Sequence, residues 1–97
     1  MRHRYLVCYD IADAKRLRRM YKKMHGFGDS VQFSVFKCDL SPAELALMRG
    51  AIHDIINQRD DRVMIVRLGP ASDRRPDAVE FLGMPLAPWE RQRAVTI

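Results

Sequence analysis

The chain has 97 residues, 47% hydrophobic and 30% charged, enough for one modest core and one domain over 1–97. No apolar run approaches the roughly 18 residues a bilayer-spanning helix needs, and the first residues lack a signal-peptide pattern, so the expectation is a cytoplasmic protein with no membrane partner. The net charge of +5 is local: residues 1–37 hold nine Lys/Arg against three Asp, and residues 38–97 hold eight against nine acids, which points to a polyanionic partner. A solvated basic helix face that serves only solubility is the alternative.

Tyr5-Leu6-Val7-Cys8-Tyr9 is an apolar, β-branched and aromatic run, and the first strand is expected from about Arg4 to Tyr9. Leu6 and Cys8 fall on one side and Tyr5, Val7 and Tyr9 on the other, so both faces are apolar and the strand reads as central. Asp10 arrives where the run stops. A carboxylate there is held firmly yet reaches solvent, which makes Asp10 the candidate metal ligand. Asp13 then offers an N-cap for a helix ending near His25-Gly26, with Gly26 or Gly28 taking the left-handed conformation. Leu17, Met20, Tyr21 and Met24 follow the spacing of a buried stripe, while Lys15, Arg16, Arg18, Arg19, Lys22 and Lys23 crowd the rest of that segment beside Asp10.

Asp29 to Cys38 reads as the second strand, with Val31, Phe33 and Val35 on one face and Gln32, Ser34 and Phe36 on the other. Phe36 is the aromatic exception on a mostly polar face, so it needs cover from a crossing loop or from a second subunit, and it is the candidate dimer-interface residue. Ser41, Pro42 and Glu44 spell an N-cap, a first-turn proline and a capping box. The helix they open carries Leu45, Met48, Ile52, Ile55 and Ile56 inward and ends near Asn57 or Gln58; His53 and Asp54 read as solvent-facing. Asp60-Asp61-Arg62 turns into a strand from Val63 to Leu68, apolar on both faces.

Gly69 to Asp77 reads as a loop, Ala78 to Gly83 as a short strand, and Ala94 to Ile97 as a very short edge strand. Met84 to Trp89 carries two prolines and reads as a segment packed across something, so residues 84–97 are expected to lie at a dimer or partner interface. Cys8 and Cys38, the only cysteines, sit among apolar neighbours and read as free thiols. A βαβ unit joined to a further helix and strands fits an α+β, ferredoxin-like β-α-β-β-α-β sheet with both helices on one face, plus the short C-terminal edge strand.

Tyr9-Asp10-Ile11 followed by Asp13, the Arg16 to Arg19 cluster, Gly26 and Gly28, and Val31-Gln32-Phe33-Ser34-Val35-Phe36 resemble, in order and spacing, the small CRISPR-associated endoribonuclease family, Cas-two. The motifs cover about the first 40 residues. The resemblance implies a ferredoxin-like homodimer, Mg²⁺ near Asp10, nucleic acid as ligand, and partnership with the integrase subunit of the CRISPR adaptation complex in spacer acquisition. Leu17 stands where many relatives carry another cation, and Phe33 where a tyrosine is common.

Two functions from different classes follow. In one, a Mg²⁺-dependent endonuclease uses Asp10 as metal ligand and catalytic group, Lys15, Arg16, Arg18 and Arg19 to position RNA or DNA phosphates, and Tyr9 and Ser34 as accessory groups; packing is the competing reading for Tyr9 and a structural sheet hydroxyl that for Ser34. One carboxylate per chain is thin for Mg²⁺, and two Asp10 residues facing each other across a two-fold axis would supply a pair. In the other, the same cations clamp duplex DNA in a non-catalytic, bridging subunit.

Overall fold

A computed structural model of the chain describes residues 1–73, 80 and 82–83. The elements run β1 (His3–Asp10), α1 (Ala14–Met24), β2 (Asp29–Gln32), β3 (Val35–Leu40), α2 (Pro42–Ile55) and β4 (Arg62–Pro70). The four strands form one antiparallel sheet in the order β2-β3-β1-β4. This is the ferredoxin-like β-α-β-β-α-β arrangement, with β1 in the interior and β4 outermost among the described strands. The expected strand over 78–83 and the tail over 84–97 lie largely or wholly outside the described residues.

Local chemistry explains both helix starts. The Asp13 carboxylate accepts from the Arg16 N–H at 3.0 Å and opens α1. Ser41 and Glu44 form a reciprocal capping box on α2: the Glu44 N–H donates to Ser41 Oγ at 3.2 Å and the Ser41 N–H to Glu44 Oε1 at 2.8 Å. Arg2 adds a bidentate pair to the same Glu44 carboxylate, 2.8 and 3.1 Å, which ties the chain start to α2. These bonds hold the Glu44 carboxyl down at about 2, the Arg2 hydrogen bond contributing most and those from Ser41 next.

Both helices cover the same face. Met20, Tyr21 and Met24 of α1 and Met48, Ile52 and Ile55 of α2 meet Tyr5, Val7 and Tyr9 of β1 and Phe36, Cys38 and Leu40 of β3 in one core. Val63 and Ile65 of β4 pack against it. The alternation of β1 is therefore real, with the odd residues inward.

One element differs from the sequence reading. Asp29 to Cys38 is a hairpin of β2 and β3 turning at Phe33-Ser34, with a register shift between Ser30 and Gln32. A bulge breaks period-two counting, because an inserted residue reverses the face of everything beyond it. Phe36 pairs with Val7 and shares its inward direction. Its exposure is 0%, and its ring lies 6.3 Å from Tyr9, 5.5 Å from Tyr21 and 5.2 Å from His25 between centroids. Phe36 is thus a core residue, and the expected interface role is corrected.

The glycine reading also changes. Neither Gly26 nor Gly28 has a positive φ. Gly28 is needed for close approach instead: a Cβ there would collide with the Lys37 carbonyl oxygen and lie 2.6 Å from Cys38 Sγ.

Candidate functional site

Among the described residues, the far side of the sheet carries no helix. Cross-strand partners share a face, so register places Arg4, Leu6, Cys8 and Asp10 of β1 together with Asp39, Lys37 and Val35 of β3 and Arg62, Met64 and Val66 of β4 on this open side. Its middle is apolar: Leu6, Cys8, Val35 and Val66 are half-buried, and Met64 is 56% exposed. Arg4 and Asp39 close one end with a bidentate pair at 2.9 and 3.2 Å. Asp10 stands at the other end, directly opposite Arg62. The interface expectation therefore passes from Phe36 to a different set of side chains, those of the open face.

Asp10 is exposed, and no described residue hydrogen-bonds or ion-pairs with its carboxylate. No group of three or more His, Cys, Asp or Glu with the spacing to hold a metal occurs among the described residues. Asp10 is a hard oxygen donor of the kind Mg²⁺ takes, yet the described residues of one chain supply one such oxygen group at this point. Mg²⁺ is held by one or two carboxylates with waters and substrate oxygens, so two copies of Asp10 meet that requirement and a lone copy meets its lower limit.

The accessory residues divide. Tyr9 points into the core, 6% exposed, away from the side that carries Asp10, and its hydroxyl donates to the Phe33 carbonyl at 2.8 Å. Burial, with Tyr21 adding to it, pushes the phenol well above its ordinary value, so Tyr9 is a packing residue and its accessory role is corrected. Ser34 lies in the β2–β3 turn, where its carbonyl accepts from the Tyr9 N–H at 3.0 Å. That bond puts Ser34 beside the strand end that carries Asp10.

The basic cluster also splits. Arg16 donates through Nε and Nη2 to the Asp61 carboxylate at 2.8 and 3.1 Å. The Asp61 side chain is fully buried and takes two further bonds, from the Ala12 N–H at 2.9 Å and the Asn57 N–H at 2.8 Å. The Arg16 bonds, opposed by desolvation and aided by Asn57 and Ala12, hold that carboxyl far below the usual carboxylate range. Arg16 is therefore a strut fastening the loop after Asp10 to the turn before β4, and its assignment as a phosphate contact is corrected. Arg18 is half-buried and engaged in an interaction of its own. Lys15, Arg19, Lys22 and Lys23 are exposed on the outer side of α1, whose 11 residues contain no acid. Arg19, Lys22 and Lys23, with Gly26 and Ile55, border a recess of about 510 Å³.

Sequence reasoning missed Asp61. The triplet Asp60-Asp61-Arg62 signals a polar turn, but which acid is buried depends on a partner 45 residues away.

Residues 1–75 match the family model described as CRISPR associated protein Cas2. The chain belongs to the Cas2 family. A protein from Geobacter sulfurreducens named CRISPR-associated endoribonuclease Cas2 is 42% identical over 95 residues, spanning 98% of this chain and 99% of that one. A Rhodospirillum rubrum protein named CRISPR-associated endoribonuclease Cas2 1 is 42% identical over 93 residues, 96% and 90% of the two chains. The crystal structure of Streptococcus pyogenes Cas2 superposes with a TM-score of 0.71 at 35% identity, covering 82% of this chain and 99% of that chain. Among the described residues no helix is long and apolar enough to cross a membrane.

Proposed function

We propose that this Cas2 protein is a homodimeric, Mg²⁺-dependent endonuclease acting on RNA or DNA, and that it serves spacer acquisition with the integrase subunit of the adaptation complex. The observation that carries the reading is Asp10: an exposed carboxylate with no partner among the described residues, at the rim of an open apolar sheet face. Packing two copies through Leu6, Cys8, Val35, Met64 and Val66 would remove apolar surface from water and bring two Asp10 residues toward the symmetry axis. The names of the relatives support nuclease chemistry.

The Asp10 carboxylates would hold the Mg²⁺, which would supply polarisation of the phosphate and a lowered pKa of bound water. The chain's own part is to hold the carboxylate pair still. Asp10 is the last residue of β1, paired with Arg62 of β4, and the loop beyond it is fastened by the Arg16–Asp61 strut and the Ala12 N–H bond to Asp61. Hydrolysis adds one water across the phosphodiester, breaking one P–O bond and leaving a phosphate monoester and an alcohol. The exposed cations Lys15 and Arg19 lie on α1, behind the sheet, where they suit backbone phosphates beyond the cleaved one.

Those same outward cations favour a second reading, a DNA-bridging subunit without catalysis. The deciding experiment is Mg²⁺-dependent cleavage of labelled single-stranded RNA and duplex DNA by wild type and Asp10→Ala, with and without EDTA, beside a binding titration. Loss of cleavage with either change while binding persists supports the nuclease. Cleavage that is absent, or equal in both proteins, overturns it in favour of the bridge.

A further inference from the structure

We infer that Arg62 is the phosphate-binding cation of the Asp10 site; this rests on the reading of Asp10 as the metal-binding carboxylate. Arg62 is the first residue of β4 and the direct cross-strand partner of Asp10, the last residue of β1. The two Cα atoms of such a pair are roughly 4.5 to 5.5 Å apart, and both side chains leave the sheet on the same side. Both residues are exposed. Opposite charges so placed commonly close into contact, yet no ion pair joins them, and the Arg62 guanidinium makes no hydrogen bond among the described residues. Its guanidinium, without an acceptor among the described residues, is a planar fork that matches two phosphate oxygens.

The other cations are excluded by position. Arg16 is committed to Asp61, and Arg18 and Arg4 are engaged. Lys15 and Arg19 stand on the helix that covers the opposite face. Lys37 shares the Asp10 face, but it is paired with Leu6, four residues back along β1, which is about 13 Å at the rise of a strand. Among the described residues, Arg62 is thus the cation set directly opposite the carboxylate.

Charge gives the arrangement a purpose. In a two-fold dimer, two Asp10 carboxylates neutralise one Mg²⁺, and a neutral centre has no long-range pull on a phosphodiester. Two Arg62 residues restore a charge of about +2 at the same place, which attracts the substrate and stabilises the extra negative charge on phosphorus in the transition state. Arg62 also repels the metal, so its removal weakens phosphate binding while tightening metal binding. A counter-ion that serves only to neutralise Asp10 would act on phosphate through Asp10 alone.

The test uses Arg62→Gln and Arg62→Lys, each in the wild-type and Asp10→Asn backgrounds, with labelled single-stranded RNA and duplex DNA as probes and salt varied. Loss of one phosphate contact per chain makes the plot of log affinity against log salt shallower by about 0.7 to 0.9 for each Arg62 removed. The expected result is that change in both Asp10 backgrounds, full recovery of the slope in Arg62→Lys, and tighter Mn²⁺ binding in Arg62→Gln. Cleavage by Arg62→Gln is expected to fall about 100-fold or more. An unchanged slope, or a change seen only when Asp10 is present, overturns the assignment. A slope change in a wild-type protein that shows no Asp10-dependent cleavage supports Arg62 as a phosphate contact while removing the nuclease reading, so the two fail separately.

Discussion

Replacing Phe36 by alanine separates a core residue from an interface residue. Phe36 is fully buried inside one protomer, ringed by Tyr9, Tyr21 and His25 at centroid distances of 5.2 to 6.3 Å. Removing such a ring forfeits its transfer free energy and leaves a cavity that close-packed neighbours fill only in part, a cost of about 3 to 5 kcal/mol. A small domain loses about 4 to 8 °C of melting temperature per kcal/mol, so a loss near 4 kcal/mol lowers it by roughly 25 °C. The assay is thermal and denaturant unfolding at several protein concentrations, with sedimentation velocity on the same samples. Because dimerisation stabilises by mass action, the loss must be read at matched concentration. The reasoning is refuted if Phe36→Ala merely converts dimer to monomer and leaves unfolding unchanged at concentrations where wild type is also monomeric.

Met64→Lys is expected to do the reverse, weakening self-association while leaving monomer stability nearly intact, because Met64 is exposed on the open sheet face; a dimer of wild-type affinity would show that the face is not the interface. Gly28→Ala should destabilise by about 3 kcal/mol or more, since the new methyl meets the β3 backbone, which cannot move aside as a side chain can; denaturant titration checks this. Glu44 ionises near about 4.3 when unfolded and at about 2 when folded, so its contribution is complete above the first value and lost as pH falls toward the second. The stability gap between wild type and Glu44→Gln should therefore be widest near neutrality and close progressively in acid, and a gap that widens in acid would contradict the pairing with Arg2. Burial pushes the Cys38 thiol up to about 12, so native protein should resist alkylation at Cys38, with label appearing there only on unfolding, as peptide mass mapping will show.

Where the governing interactions were local, they were legible in the amino-acid sequence. Ser41, Pro42 and Glu44 specify the start of α2 because capping needs only neighbours three residues apart, and Asp13 does the same for α1. The two apolar faces of β1 foretold its interior place in the sheet, because only a strand flanked on both sides needs them. Asp10 stood out by position alone, as a carboxylate where an apolar run ends.

Tertiary structure decided the rest. The face of Phe36 depended on a turn and a register shift that period-two counting does not see. Whether a cation in the Arg16 to Arg19 cluster meets solvent or protein depended on Asp61, a partner brought beside Arg16 only when β4 docks against β1. In the sequence Gly28 reads as a helix-end residue, whereas its constraint is the backbone of β3, which lies against it only in the folded sheet. The pairing of Asp10 with Arg62 has the same origin. Two charges 52 residues apart share a face because an antiparallel register puts them opposite each other, and no local pattern encodes that register.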